Sequence, residues 1–198
     1  ILASGSAGLV GCRHGQTGEV IRDDKSDMVG NRAAGAETFK PLIDESLGKL
    51  LARQNSGLQR VSVPPPAPKR ICFVGLENKS SEELGDFKAQ VEEIIDNRIN
   101  TSGTFEQISR RFTAAGLREA RLRPDELFLP KNQRAFLTAM EAQGQPFDYL
   151  LFASLTSGTT VASDKRTQRD YLLTLALVNI QTGNPDKESA TIRKAYSK

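Results

Sequence analysis

Cys12 is the residue whose setting most clearly suggests chemistry. It follows ILASGSAGLVG, eleven small or apolar residues without a charge, and precedes the polar run RHGQTGE. An apolar segment closing on small residues is the pattern of a secretory signal at its cut. Cys12 therefore stands where a chain is cleaved and attached to a membrane. The other reactive residue types fall into no working set. Cys72 lies far away inside an apolar run and reads as a packed small hydrophobe rather than a nucleophile. His14 is the only histidine, so a zinc site of about four ligands and a Ser/His/Asp triad both lack parts. The carboxylate pairs Asp23-Asp24 and Glu82-Glu83 read as solvated surface and as a helix start. No GxxxxGK or GxGxxG loop follows an expected strand. Neither catalysis nor a metal or other cofactor is expected, and the chain reads as a binding protein.

The tetrad Leu9-Val10-Gly11-Cys12 resembles the lipobox of bacterial lipoproteins. By chance such an order arises at roughly one position in several thousand. The resemblance implies cleavage before Cys12 and a diacylglycerol on its thiol, leaving residues 1–11 as the remnant of a signal peptide whose upstream part precedes Ile1. Each buried CH₂ contributes about 0.8 kcal/mol, so two or more acyl chains make the attachment durable. Lipoprotein sorting in two-membrane bacteria, applied to Arg13 beside the cysteine, implies the periplasmic face of the outer membrane.

Bulk properties set the frame. The 198 residues suffice for one sizeable domain plus a tail, and 38% hydrophobic with 26% charged residues indicates a chain that mostly folds. No apolar run reaches eighteen residues. A net charge of +3 is too small to point to nucleic acid. The arginines Arg110, Arg111, Arg118, Arg121 and Arg123 form a local cluster but lack interleaved aromatics. They read as a solvated helix face or a surface for an acidic protein.

Residues 12–36 carry many Gly, Asp and Arg with little apolar periodicity and read as a flexible lipidated tether. It extends to about 80 Å at most, and a relaxed coil of that length averages ~27 Å. The domain occupies 37–198. Phe39, Leu42, Ile43, Leu47, Leu50 and Leu51 predict a helix over 38–54 with Thr38 as N-cap, ended by Gly57 and by the VPPPAP spacer at 63–68. RICFVGLEN (70–78) predicts a buried strand. Ser80 and Glu83 have capping-box spacing before a helix carrying Leu84, Phe87, Val91, Ile94 and Ile95. A strand at 104–108, a helix capped by Ser109, the loop RLRPDELFLP and a helix with Phe136, Leu137 and Met140 follow. Strands at 148–156, 170–180 and 190–198 complete the chain, the last alternating like an edge. The order predicts an α/β fold: a mixed sheet of about five strands flanked by helices, parallel pairing first and hairpins last.

Several stretches resemble the LpoB-type penicillin-binding-protein activator lipoproteins, whose domain is TolB N-terminal-like. FVGLENKSSEEL (73–84) is similar to that family's first strand running through an Asn-x-Ser/Thr turn into a helix. TFEQISRR (104–111) is similar to its Phe-x-x-Ile-Ser-Arg strand end, and DYLLFASL (148–155) with LALVNIQTG (175–183) to its closing segment. GEVIRDDKSD (18–27) resembles the N-terminal stretch of some members. The chain departs in having no tryptophan; NPDKES follows its Thr-Gly turn. The resemblance implies a monomeric, non-catalytic regulator that binds and activates a bifunctional penicillin-binding protein, a peptidoglycan synthase. It assigns no partner-binding residue.

Three other functions remain open on the residues. The chain is a component of another envelope assembly, curli-secretion-like or flagellum-associated; or a structural lipoprotein that binds peptidoglycan; or a carboxylate-based hydrolase. A secretion pore would need paired lipid-facing strands of about ten residues, and none is seen in the sequence.

Overall fold

The computed structural model describes residues 34–58, 68–161 and 167–196. Helix α1 (Ala36–Leu58) is followed by β1 (Lys69–Lys79), α2 (Asp86–Thr101), β2 (Phe105–Gln107) and α3 (Arg110–Ala120). A 3₁₀ turn (Pro124–Phe128), α4 (Pro130–Ala142), β3 (Tyr149–Val161), β4 (Thr167–Asn179) and β5 (Pro185–Tyr196) complete it. The sheet has the order β2-β1-β3-β4-β5. β1 runs parallel to both β2 and β3, and β3, β4 and β5 follow as antiparallel hairpins. This is the expected mixed five-stranded α/β architecture.

The connections place the helices on both faces. β1 crosses to β2 through α2, and β2 returns past β1 to β3 through α3 and α4; right-handed crossovers in opposite directions must lie on opposite faces. One face carries Ile71, Phe73, Leu76, Leu151, Leu155 and Leu173, packed against Phe39, Ile43 and Leu47 of α1 and Val91, Ile95 and Ile99 of α2. The other carries Cys72, Leu150, Phe152 and Val178 against Leu117, Phe136 and Met140 of α3 and α4. Fully burying a large aliphatic or aromatic side chain contributes about 1.5–3 kcal/mol, and the first cluster holds the larger share of the buried side chains. Gly116 suits the second: a Cβ there would crowd Met140 Sδ and the Phe136 ring where α3 packs on α4.

Several local expectations shift. α1 begins at Ala36, and its first turn is closed by the Thr38 and Phe39 N–H groups donating to the Gly35 carbonyl, so Thr38 sits inside the helix rather than capping it. The Ser80/Glu83 capping box does not form. α2 starts at Asp86 behind Gly85, without a side-chain cap. Asn78 instead organises the turn: its Oδ1 accepts from Ser80 N (3.0 Å) and Ser80 Oγ (2.6 Å), and its Nδ2 donates to the Glu82 carbonyl (2.7 Å). Ser109 does cap α3, accepting from the Arg111 N–H. The last strand starts at Pro185, earlier than the alternation indicates, because it pairs along nearly all of β4.

Candidate functional site

β2 is three residues long and pairs only with Lys69, Arg70 and Ile71, so among the described residues no strand lies beside the outer edge of β1 beyond Ile71. Two features shape this edge. A bulge at Val74 shifts the β1–β3 register between Phe73 and Gly75, and Gly75 takes φ +125°, a conformation L side chains rarely adopt. Glu92 of α2 then closes the edge, accepting from the Leu76 N–H at 2.9 Å. Arg110 holds that carboxylate in place at 2.7 Å and also reaches Glu93 (2.9 Å) and Asp96 (2.7 Å).

Above the bulge, the face that carries α3 and α4 is left uncovered, and a groove of about 670 Å³ opens there. Its floor is the strand surface at Val74, Phe152 and Ala176, and its wall is the 3₁₀ turn with Pro124 and Phe128. Phe128 is 53% exposed and stacks on Phe152 with centroids 4.5 Å apart. The groove thus lies over the carboxyl half of β1 and residues 152–154 of β3, the two strands between which the crossover direction reverses.

The charges around it are unequal in availability. Glu77 is paired with Lys79 (2.8 Å), Asp125 with Arg123 (3.1 Å), and Glu92 with Arg110. Lys88 of α2 and Lys187 of β5 are exposed at its two ends and have no ion-pair partner among the described residues. The arrangement therefore presents an apolar, aromatic centre between two ammonium groups. Each of its carboxylates is engaged in an ion pair.

The residues singled out from sequence are distributed differently. Leu9, Val10, Gly11 and Cys12, with His14 and the Asp23-Asp24 pair, lie outside the described residues. Cys72 is buried, with Sγ 3.2 Å from Thr113 Oγ1. Burial pushes its thiol up to about 12, which suits packing rather than nucleophilic attack. Arg110 is neutralised by three α2 carboxylates, while Arg111, Arg118, Arg121 and Arg123 stay exposed. Glu82 turns inward: it accepts from the Ala34 N–H (2.9 Å) and the Tyr171 hydroxyl (2.6 Å) and pairs with Arg169. It ties Ala34, just before α1, to β4. Among the described residues no cluster of His, Cys, Asp or Glu is arranged to hold a metal, and no helix is long and apolar enough to cross a membrane. Sequence reading missed Lys88, Lys187 and Phe128, which stand on three separate elements and carry no local signal.

Neither a protein-family model nor a curated protein sequence matches the chain. Solved structures do. The LpoB C-terminal domain from Salmonella enterica aligns with a TM-score of 0.51 at 14% identity, over 75% of this chain and 96% of that one. Lipoprotein GNA1162 from Neisseria meningitidis aligns more loosely, with a TM-score of 0.45 at 15% identity, over 65% of this chain and 84% of that one. At 14% identity the first likeness establishes architecture: the domain described here has the fold of that LpoB C-terminal domain.

Proposed function

We propose that the protein is an outer-membrane lipoprotein whose domain binds and activates a bifunctional peptidoglycan synthase. The observation that carries this reading is the shared fold, which spans 96% of the LpoB C-terminal domain. The Leu9-Val10-Gly11-Cys12 lipobox supports it independently. In this reading residues 1–11 are the end of a signal peptide, Cys12 carries the acyl groups, residues 12–36 form the tether and 37–198 the docking domain. The acyl chains hold the protein at the outer membrane while the tether lets the domain reach through the cell-wall mesh. Docking acts without catalysis. A domain that binds the active state of the synthase preferentially shifts the enzyme toward it, and a coupling of about 1–3 kcal/mol corresponds to roughly 5–150-fold.

The reading is tested by capture. The chain from Arg13 onward is immobilised, detergent-solubilised envelope is passed over it, and retained proteins are labelled with a fluorescent penicillin and identified by mass spectrometry. The expected result is specific retention of a labelled bifunctional synthase. Retention of a secretion or flagellar component without any penicillin-binding protein would overturn the assignment.

A further inference from the structure

We propose that the groove above the β1 bulge takes an extended peptide segment of the partner protein, acidic at both ends and apolar between. This rests on the reading that the domain works by docking on another protein. Charge complementarity carries it. Every carboxylate lining the groove has a cationic partner, whereas Lys88 and Lys187 have none among the described residues. The unneutralised charge is therefore positive and sits at both ends. Between these ends the half-exposed Phe128 ring, stacked on Phe152, offers an apolar seat.

The spacing suits an extended peptide. Lys187 stands on β5 and Lys88 beyond the free edge of β1, so at least three strand spacings, about 14 Å, separate their backbones. Acids spaced along an extended chain engage both lysines without either side chain folding across the groove. An extended chain advances about 3.3 Å per residue, so acids four residues apart, about 13 Å, reach both ammonium groups and centre an apolar side chain over Phe128. A segment of the form acid–x–apolar–x–acid fits.

The test uses the full chain and fluorescein-labelled peptides GDSFSDG and GKSFSKG, read by fluorescence anisotropy. The acidic peptide is expected to bind saturably and the lysine peptide to bind at least about tenfold more weakly, because like charges repel across an interface. In the double variant Lys88→Glu, Lys187→Glu the preference reverses, with an unchanged unfolding temperature because both side chains are exposed. Equal binding of the two peptides, or a preference untouched by the double variant, overturns the proposal. So does acidic-peptide binding that appears only after residues 1–33 are removed, since the chain would then fill its own groove. Stimulation of a synthase by wild-type and double-variant chains separates this from the broader reading. Equal stimulation by both removes the groove as the docking site and keeps the regulator. Charge-selective peptide binding without stimulation by wild type keeps the groove and removes the regulator.

Discussion

Glu92 accepts a hydrogen bond from the Leu76 backbone N–H at 2.9 Å, so a helix side chain occupies the place that a neighbouring strand would take. The same carboxylate is held by Arg110 at 2.7 Å. An uncovered edge invites pairing with other chains, and here one acid both satisfies the edge and borders the groove. Replacing Glu92 by Ala leaves the Leu76 N–H and part of the Arg110 guanidinium without their partner. The expected loss is about 1–3 kcal/mol, read as a lower urea midpoint with unchanged slope, together with faster exchange of the Leu76 amide. Unchanged exchange at Leu76 would contradict this role.

Gly75 sets the bulge next to that contact. Its φ of +125° is strained for any residue with a Cβ, and the added atom would lie 3.3 Å from Glu92 Oε1. Gly75→Ala is expected to destabilise by about 1–3 kcal/mol and to perturb the amide resonances of Leu76 and Glu77 more than those of β4. Full stability in thermal unfolding would show that the bulge does not need glycine.

The sheet was legible because its strands are apolar runs bounded by turns. FVGLEN, DYLLFASL and LLTLALVN stand out by composition alone, and their order indicates parallel pairs before hairpins. Ser109 was legible as a cap because nothing else competes for it. Ser80 and Glu83 have the right spacing for a box, but the Asn78 side chain takes Ser80, and the turn it makes delivers Glu82 to Tyr171 and Arg169. The groove was illegible for a different reason. Lys88, Phe128 and Lys187 meet only once the sheet is assembled, and Arg110 looked like part of a basic cluster until α2 brought three carboxylates against it.

Glu37 ties the start of α1 to β5 through Lys194 at 2.7 Å. Burial pushes its carboxyl up, but the Lys194 ammonium and the Gly35 backbone outweigh this and hold it below its ordinary 4.5. A carboxyl lowered by folding contributes stability above its unfolded pKa and loses it as pH falls through the folded value. Glu37→Gln should therefore cost about 1 kcal/mol at pH 7, and the difference from wild type should shrink as pH falls below 4.5. A pH-independent difference in denaturant titrations would argue for packing alone.

The Cys72 thiol should be unreactive in the folded protein. Cys72 is fully buried and its thiol is pushed up to about 12, so it stays protonated and shielded at pH 8. A thiol reagent is expected to leave Cys72 unmodified in the native state and to modify it after unfolding. Rapid native labelling of Cys72, located by peptide mapping, would place it in an open site rather than the core.

Under the proposed function this domain regulates a synthase by binding it, and glycan polymerisation measures that directly. A purified bifunctional synthase from the same envelope is supplied with lipid-linked precursor, with and without equimolar full chain, and its initial rate is followed. The expected result is a rise of about fivefold or more that disappears when the synthase is replaced by a monofunctional polymerase. An unchanged rate at saturating protein would contradict it.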